Sequence, residues 1–303
     1  MASNFQNIIK ELCKEKGIEY GIVSNGWIFI LKKDHIVKSI FGYKFDLNSY
    51  NAGTICDDKY ATSELCKLLN IPVVNEEIFY KETNKKKYAE GKNTYKALLE
   101  YFNENNQDVV LKLTDGTCGK DVFHIEDTEN LEKEYKEIMM TNDTVCASPY
   151  YDVENEYRAI VLNGEVKLLY KKVRPIVVGD GHSTISELLK TFNPYYFKNY
   201  ENDLVLREGE EYKYGWKFNL AAGSLPSFEI ENEIREEVTD FAINTARQLN
   251  MGFCSVDVIK CGDKYRVMEV NTGVMMNRFI HEAPDGYNIA KQIYSDAIDA
   301  MMK

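Results

Sequence analysis

The chain has 303 residues, 44% of them apolar and 28% charged, and its 37 basic against 48 acidic side chains leave a net charge of −11. The length allows a substantial core in a few closely packed lobes, and the acidic balance argues against a nucleic-acid or anionic-membrane surface. The N-terminus Met1-Ala2-Ser3-Asn4-Phe5 lacks the basic-then-apolar order of a signal peptide. The longest apolar stretch, around Gly26 to Leu31, is far too short to span a bilayer. Seven scattered cysteines with no C-x-x-C pair, beside four histidines, fit reduced thiols in a cytoplasm, not a disulfide frame or a zinc site.

In chain order, Ile8, Ile9 and Leu12 mark a short amphipathic helix. Gly21-Ile22-Val23-Ser24 and Trp27-Ile28-Phe29-Ile30-Leu31 then flank an Asn25-Gly26 turn, a hairpin signal. Asp57 or Asp58 caps a helix carrying Ala61, Leu65 and Leu69 that ends before Ile71-Pro72. The lysine-rich stretch from Lys81 to Lys96 reads as a solvated loop and helix face. A helix with Tyr95, Leu98, Leu99 and Phe102 and a strand at Val109–Leu113 follow. Glu156–Leu162, Asn163-Gly164 and Glu165–Arg174 predict a second hairpin, and Thr184 with Glu187 a capping box for the helix Ile185–Leu189. A longer helix from about Glu233 to Leu249 presents Ile234, Val238, Phe241, Thr245 and Leu249 on one face. Strands Phe253–Ile259 and Tyr265–Asn271 and a helix from about Tyr287 close the chain. Helices and strands alternate loosely with hairpins among them, so the expected class is α/β or α+β with mixed sheets.

Two segments carry chemistry. In Met268-Glu269-Val270-Asn271 the alternation of a strand puts Glu269 and Asn271 on one face. An odd-numbered connection around Cys261–Lys264 sets Asp257 across from Glu269, whereas a tight Gly262-Asp263 turn shifts the register by one. Facing carboxylates repel unless a cation lies between them, and two carboxylates with an amide suit a hard divalent ion such as Mg²⁺. The alternative is that both acids simply face solvent from an antiparallel sheet. The second segment is Val109-Val110-Leu111-Lys112-Leu113 followed by Asp115-Gly116-Thr117-Cys118-Gly119-Lys120-Asp121. Lys112 faces away from Val109, Leu111 and Leu113, and the glycine turn can bring backbone N–H groups to phosphate oxygens. The spacing excludes a P-loop, and no G-x-G-x-x-G or G-x-S-x-G occurs.

Taken in order, Asp58-Lys59 before a helix, Lys112 before a glycine turn, Glu156-Tyr157-Arg158, Asp257 and Glu269-Val270-Asn271 resemble the ATP-grasp superfamily. The resemblance runs from Asp57 to the C-terminus. Lys171-Lys172-Val173-Arg174-Pro175 and Val177 to Ile185 look most like the ATP-grasp portion of cyanophycin synthetases. It implies a fold of two lobes clasping ATP behind a small N-terminal domain, divided as residues 1–58, 59–148 and 149–303. It further implies that Lys59, Lys112 and the Gly116–Lys120 loop (Gly116, Thr117, Cys118, Gly119 and Lys120) meet the ATP phosphates. Glu156 would hold the ribose, and Asp257, Glu269 and Asn271 would bind Mg²⁺ or Mn²⁺. Arg158 and Arg174 would stabilise charge on the transferring phosphoryl group. An undistorted Asn163-Gly164 hairpin sets Arg174 opposite Arg158, so either a bulge near Val173 turns it or it serves the surface.

The chain also departs from the family pattern. The expected adenine hinge, Cys146–Tyr151, lacks the usual acidic residue, leaving recognition to backbone groups around Ser148 and Tyr150. Thr272-Gly273-Val274-Met275-Met276-Asn277-Arg278 replaces a Pro-Gly loop and puts Gly273 beside the acceptor pocket, while Lys217 and Asn219 stand as substrate contacts before a glycine turn. The first 58 residues are far shorter than the amino-terminal domain that the resemblance to cyanophycin synthetases implies, so making cyanophycin itself is not the expected activity. The expected activity is an ATP-dependent carboxylate–amine ligase acting on small-molecule or peptide substrates, with a homodimer as the default assembly. A small-molecule kinase on the same fold and a non-catalytic nucleotide sensor are the rivals; Lys112, Arg158, Asp257, Glu269 and Asn271 together disfavour the sensor.

Overall fold

Period-3.6 burial of Phe5, Ile8, Ile9, Leu12 and Cys13 makes α1 (Asn4–Glu15) the amphipathic helix that its sequence predicts. The computed structural model describes residues 3–116, 119 and 121–303, so the expectations for Thr117, Cys118 and Lys120 fall outside it. Strands β1 (Glu19–Val23), β2 (Ile28–Lys33), β3 (Ile36–Phe41) and β4 (Lys44–Phe45) form an antiparallel sheet in chain order. Asn25 and Gly26 take positive φ values of 55° and 93° at the first turn. Val23 pairs with Ile28, so the loop between them has four residues, not two.

The chain then forms α2 (Tyr50–Cys56) and α3 (Lys59–Leu68), with Asp58 as N-cap of α3, its carboxylate accepting from Ala61 N–H at 2.8 Å. The buried face of α3 is Thr62, Ser63 and Cys66; Ala61, Leu65 and Leu69 are only half-buried. Strand β5 (Glu77–Tyr80), helix α4 (Tyr95–Glu104), strands β6 (Val109–Lys112) and β7 (Val122–Ile125), helix α5 (Thr128–Thr141) and strand β8 (Thr144–Pro149) complete this part. The four strands pair antiparallel in the order β5-β8-β6-β7. Their Val109, Leu111, Ile125, Val145 and Ala147 close a core with Leu98, Phe102, Leu131 and Ile138 of α4 and α5.

Next come β9 (Asn155–Leu162), β10 (Glu165–Val173), β11 (Ile176–Val178), α6 (Ile185–Phe192) and α7 (Pro194–Phe197). Thr184 and Glu187 make the expected capping box, each side chain accepting the other's backbone N–H. Strands β12 (Glu211–Lys213) and β13 (Leu225–Ser227), helix α8 (Asn232–Gln248), strands β14 (Phe253–Cys261) and β15 (Lys264–Asn271), and helices α9 (Asn277–Glu282) and α10 (Gly286–Met301) follow. A five-stranded sheet has the order β13-β10-β9-β14-β15, and β11 pairs with β12. The mixture of helices and sheets is the α/β (α+β) class that the sequence predicts.

Two units divide the chain: Met1–Ser49 with Asn155–Val258 and Asn271–Lys303, and Tyr50–Glu154 with Ile259–Val270. The first has a core in which Phe5, Phe29 and Phe45 join Ile160, Leu162, Leu168, Tyr170 and Phe253 with the α10 residues Ile293, Tyr294 and Ile298. Phe45 packs edge-on to Phe253 with centroids 5.3 Å apart and stacks on Tyr294 at 5.8 Å. Polar contacts fix the same junction. Asn48 Nδ2 donates to Phe253 O at 2.7 Å, and Asn48 Oδ1 accepts from Gly252 N and Phe253 N at 2.8 and 2.9 Å. Only glycine fits at position 252, where a Cβ would lie 2.3 Å from the Leu47 carbonyl oxygen.

Asn48→Ala strips all three contacts and leaves backbone groups at the start of β14 unpaired, so unfolding stability should fall by about 2 kcal/mol. Denaturant unfolding checks this, and an unchanged midpoint would contradict it.

Candidate active site

The charged site of the first unit is built on one face of the β9–β10 hairpin. Asn163 and Gly164 turn it with φ values of 49° and 81°, and Glu165 pairs with Leu162 as in a regular two-residue hairpin. The register then slips between Val166 and Leu168, leaving Lys167 as an extra residue. Beyond this bulge Tyr170 stands opposite Arg158 and Lys172 opposite Glu156. The bulge that reverses parity is therefore at Lys167, not near Val173, and it brings Lys172 to the face of Glu156 and Arg158. That face is apolar at the turn end, where Ile160, Leu162 and Leu168 join the core, and ionic at the other.

Asp257 on the neighbouring strand β14 completes the ionic end. Arg158 grips it with two parallel bonds, Nε to Oδ1 and Nη2 to Oδ2, each 2.6 Å. Lys172 Nζ donates to Asp257 Oδ2 at 3.0 Å and to Glu156 Oε1 in a second close contact. Asp257, Glu156 and Lys172 expose only 1%, 3% and 4% of their surface, so each charge depends on its partners. Burial opposes ionisation of Asp257, but Arg158 and Lys172 outweigh it and hold the carboxyl at about 2. Burial pushes Glu156 up to about 7 despite the opposing charge of Lys172. Burial and Arg158 work against the Lys172 ammonium, yet Asp257 and Glu156 leave its pKa raised.

Other expected site residues of the first unit surround different elements. The Arg174 guanidinium lies 4.4 Å from the centroid of the Phe218 ring, and its Nε is buried without a hydrogen-bond partner among the described residues. Asn271 Nδ2 is likewise buried and unpartnered among the described residues. Lys217 lies 5.6 Å from the Trp216 ring. Asn219 caps a short 3₁₀ turn, Leu220–Ala222, accepting from Ala221 N–H at 2.8 Å. A Cβ at Gly273 would meet Tyr43 and Lys44 at ordinary contact distance, 3.5 Å.

A second group lies wholly within the other unit. On β6, Lys112 shares a face with Val110 and pairs across to Cys146, with Val109 and Leu111 buried on the opposite face, as alternation predicts. Its ammonium meets Glu76 at 2.5 Å, and burial, which opposes its charge, is outweighed by Glu76, so its pKa is raised. Lys59, at the start of α3, donates Nζ to Gly116 O at 2.6 Å and pairs with Glu269 Oε1 at 3.2 Å, while its N–H donates to Thr114 O at 2.9 Å. Lys59, Glu76 and Glu269 line one pocket with Cys56, Thr62 and Val74. Gly119 has φ 67°, a left-handed value suited to glycine. Ser148 is buried on β8, and Tyr150 stacks on His124 with centroids 3.9 Å apart while its N–H donates to Asp108 O. The Tyr150 amide is thus already engaged. Strands β14 and β15 end and begin at Cys261 and Lys264, so the connection is the tight Gly262-Asp263 turn, the register-shifting alternative.

Sequence reasoning missed Lys172 and Glu76. Lys172 becomes visible only once the Lys167 bulge is known, and Glu76 meets Lys112 from a distant part of the sequence with no local pattern to mark it. Among the described residues no three His, Cys, Asp or Glu side chains gather into a metal-binding group, and no helix is long and apolar enough to cross a membrane.

With this geometry in view, the comparisons define the class. Residues 215–297 match the RimK-like ATP-grasp domain model. The chain is similar to the bifunctional glutathione synthetase structure from Pasteurella multocida, with TM-score 0.56 and 17% identity over 97% of this chain and 44% of that one. It is equally similar to the D-alanine–D-alanine ligase structure from Bacillus anthracis, with TM-score 0.56 and 15% identity over 84% of this chain and 68% of that one. The chain has the ATP-grasp fold. In sequence, 86 residues are 30% identical to the cyanophycin synthetase of Trichormus variabilis, covering 28% of this chain and 9% of that protein. The chain thus spans a small part of that relative and less than half of the Pasteurella chain.

The raised Glu156 gives a pH prediction. Between pH 4.5 and about 7 the folded chain keeps a proton on Glu156 that the unfolded chain releases. Its contribution to stability is therefore full below pH 4.5 and is lost as pH rises through about 7. The unfolding free energy of the wild type minus that of Glu156→Gln should fall across this window; a difference flat with pH would contradict the assignment.

Proposed function

We propose that this chain is an ATP-dependent carboxylate–amine ligase that forms an amide or peptide bond through an acyl phosphate, releasing ADP and phosphate. The observation that carries the reading is the buried array of Glu156, Arg158, Lys172 and Asp257 on an ATP-grasp fold. A partly exposed arginine and a buried lysine, held in place by acids, are suited to neutralising charge as a phosphoryl group moves, the main demand of phosphoryl transfer. The similar structures from P. multocida and B. anthracis bear the names glutathione synthetase and D-alanine–D-alanine ligase, which supports a ligase over a kinase.

In this reading Lys59 and Lys112 face the ATP phosphates, with the Gly116–Lys120 loop over them. Glu156 holds the ribose, and backbone groups near Ser148 and Tyr150 recognise adenine. Asp257, Glu269 and Asn271 are the ligands of a magnesium ion. Their donor set of two carboxylates and an amide fits a hard divalent cation. Both carboxylates now rest against cations, Asp257 against Arg158 and Glu269 against Lys59, and Asn271 has a buried Nδ2 without a hydrogen-bond partner among the described residues. When bound, such an ion neutralises triphosphate charge. Arg158 and Arg174 then stabilise the transferring phosphoryl group. Lys217, Asn219 and Gly273 border the acceptor. The substrates are small-molecule or peptide carboxylates and amines, and six free cysteines among the described residues favour a cytoplasmic setting. Functionally, residues 1–58 serve the substrate side, with 59–148 and 149–303 as the two nucleotide-binding segments.

An ADP-release screen across amino acids and dipeptides with Mg-ATP should identify a carboxylate substrate, and hydroxylamine should divert its product to a hydroxamate. A phosphorylated product without hydroxamate would instead support the kinase reading. Glu269→Gln should lower ADP formation at least about 100-fold while circular dichroism stays unchanged; near-normal turnover would remove Glu269 from the metal site.

A further inference from the structure

Lys172 is the most buried cation of the hairpin and touches both acids of the array. Its ammonium joins Glu156 to Asp257, and Arg158 occupies both oxygens of the same Asp257 carboxylate. With Glu156 ionised, two acids and two bases balance, so a free divalent cation approaching Asp257 meets an array with no net negative charge and a carboxylate that is already satisfied. To reach Asp257 it must displace Arg158 or Lys172 from a buried contact, and a cation so displaced needs a new anion. The phosphates of ATP are such an anion.

We propose that Lys172 is a positioning residue that locks Asp257 against Arg158 and keeps divalent metal off this carboxylate until nucleotide arrives. The proposal rests on Asp257 being a metal ligand in the ligase reading. In that case ATP phosphates would offer Arg158 a replacement anion, and Asp257, once released, would be free to hold the ion. Lys172 stays on Glu156, which keeps the second acid neutralised and prevents the exchange from leaving a bare buried carboxylate. The bulge at Lys167 is the structural reason that the lock exists, because a regular hairpin would turn Lys172 to the opposite face.

The test is Mn²⁺ binding to the full chain, read from the electron paramagnetic resonance signal of free Mn²⁺, with and without a non-hydrolysable ATP analogue. Without nucleotide, Lys172→Met should bind Mn²⁺ at least about ten-fold more tightly than the wild type, because an uncompensated buried carboxylate attracts the ion. Lys172→Gln removes the same charge with donors retained and serves if the methionine variant does not fold. Lys172→Arg should behave as the wild type. Folded Met or Gln variants that bind Mn²⁺ no better than the wild type would overturn the lock, as would an equal gain in Lys172→Arg. The nucleotide arm separates this outcome from failure of the ligase reading. Wild-type chain that takes up no Mn²⁺ with the analogue would count against a metal–nucleotide site, whereas the nucleotide-free comparison decides the role of Lys172 by itself.

Discussion

The bidentate contact between Arg158 and Asp257 is the interaction on which the candidate site depends. An isolated charge at Asp257 would be strongly destabilised by burial, and the half-buried Arg158 supplies the compensating cation. Lys172 and Glu156 extend the pair into a balanced array, and the Lys167 bulge supplies the register that lets all four side chains meet. Below the array, on the same face of the same hairpin, the side chains turn apolar and merge into the core. The site is thus the polar end of a packed strand pair, a rigid base for chemistry that needs exact placement of charge.

The second unit uses the same logic with different partners. Lys59 and Lys112, the lysines expected at phosphate, are held by Glu269 and Glu76, which line one pocket. Pairing with carboxylates holds these ammonium groups in fixed directions. A polyanion can then exchange with the acids at modest cost, because one charge-assisted contact replaces another. Both units therefore hold the cations proposed for phosphate against acids.

Much of the fold was legible in the sequence because the signals were local. The Thr184–Glu187 box, the Asn163-Gly164 turn and the Asp58 cap depend on residues within a few positions of one another, and each formed as the local chemistry dictates. The alternation in β6 also placed Lys112 correctly. What was not legible depended on register or distance. One extra residue at Lys167 inverted the facing of everything beyond it in β10, which is why Lys172 was passed over and why the bulge, offered near Val173 as one of two alternatives, lies elsewhere. Glu76 carries no motif at all, since its partner Lys112 is brought to it only by packing of β5, β6 and α3. The tight Gly262-Asp263 turn, one of two registers that the sequence left open, was decided only by the strand ends.

The central claim is that this array serves transfer of a phosphoryl group from ATP to a carboxylate. It is tested most directly with an ¹⁸O-labelled carboxylate substrate in a complete turnover, analysing the released phosphate by mass spectrometry. An acyl phosphate route predicts that the phosphate carries a label derived from the carboxylate. Unlabelled phosphate released with the amide product would contradict it.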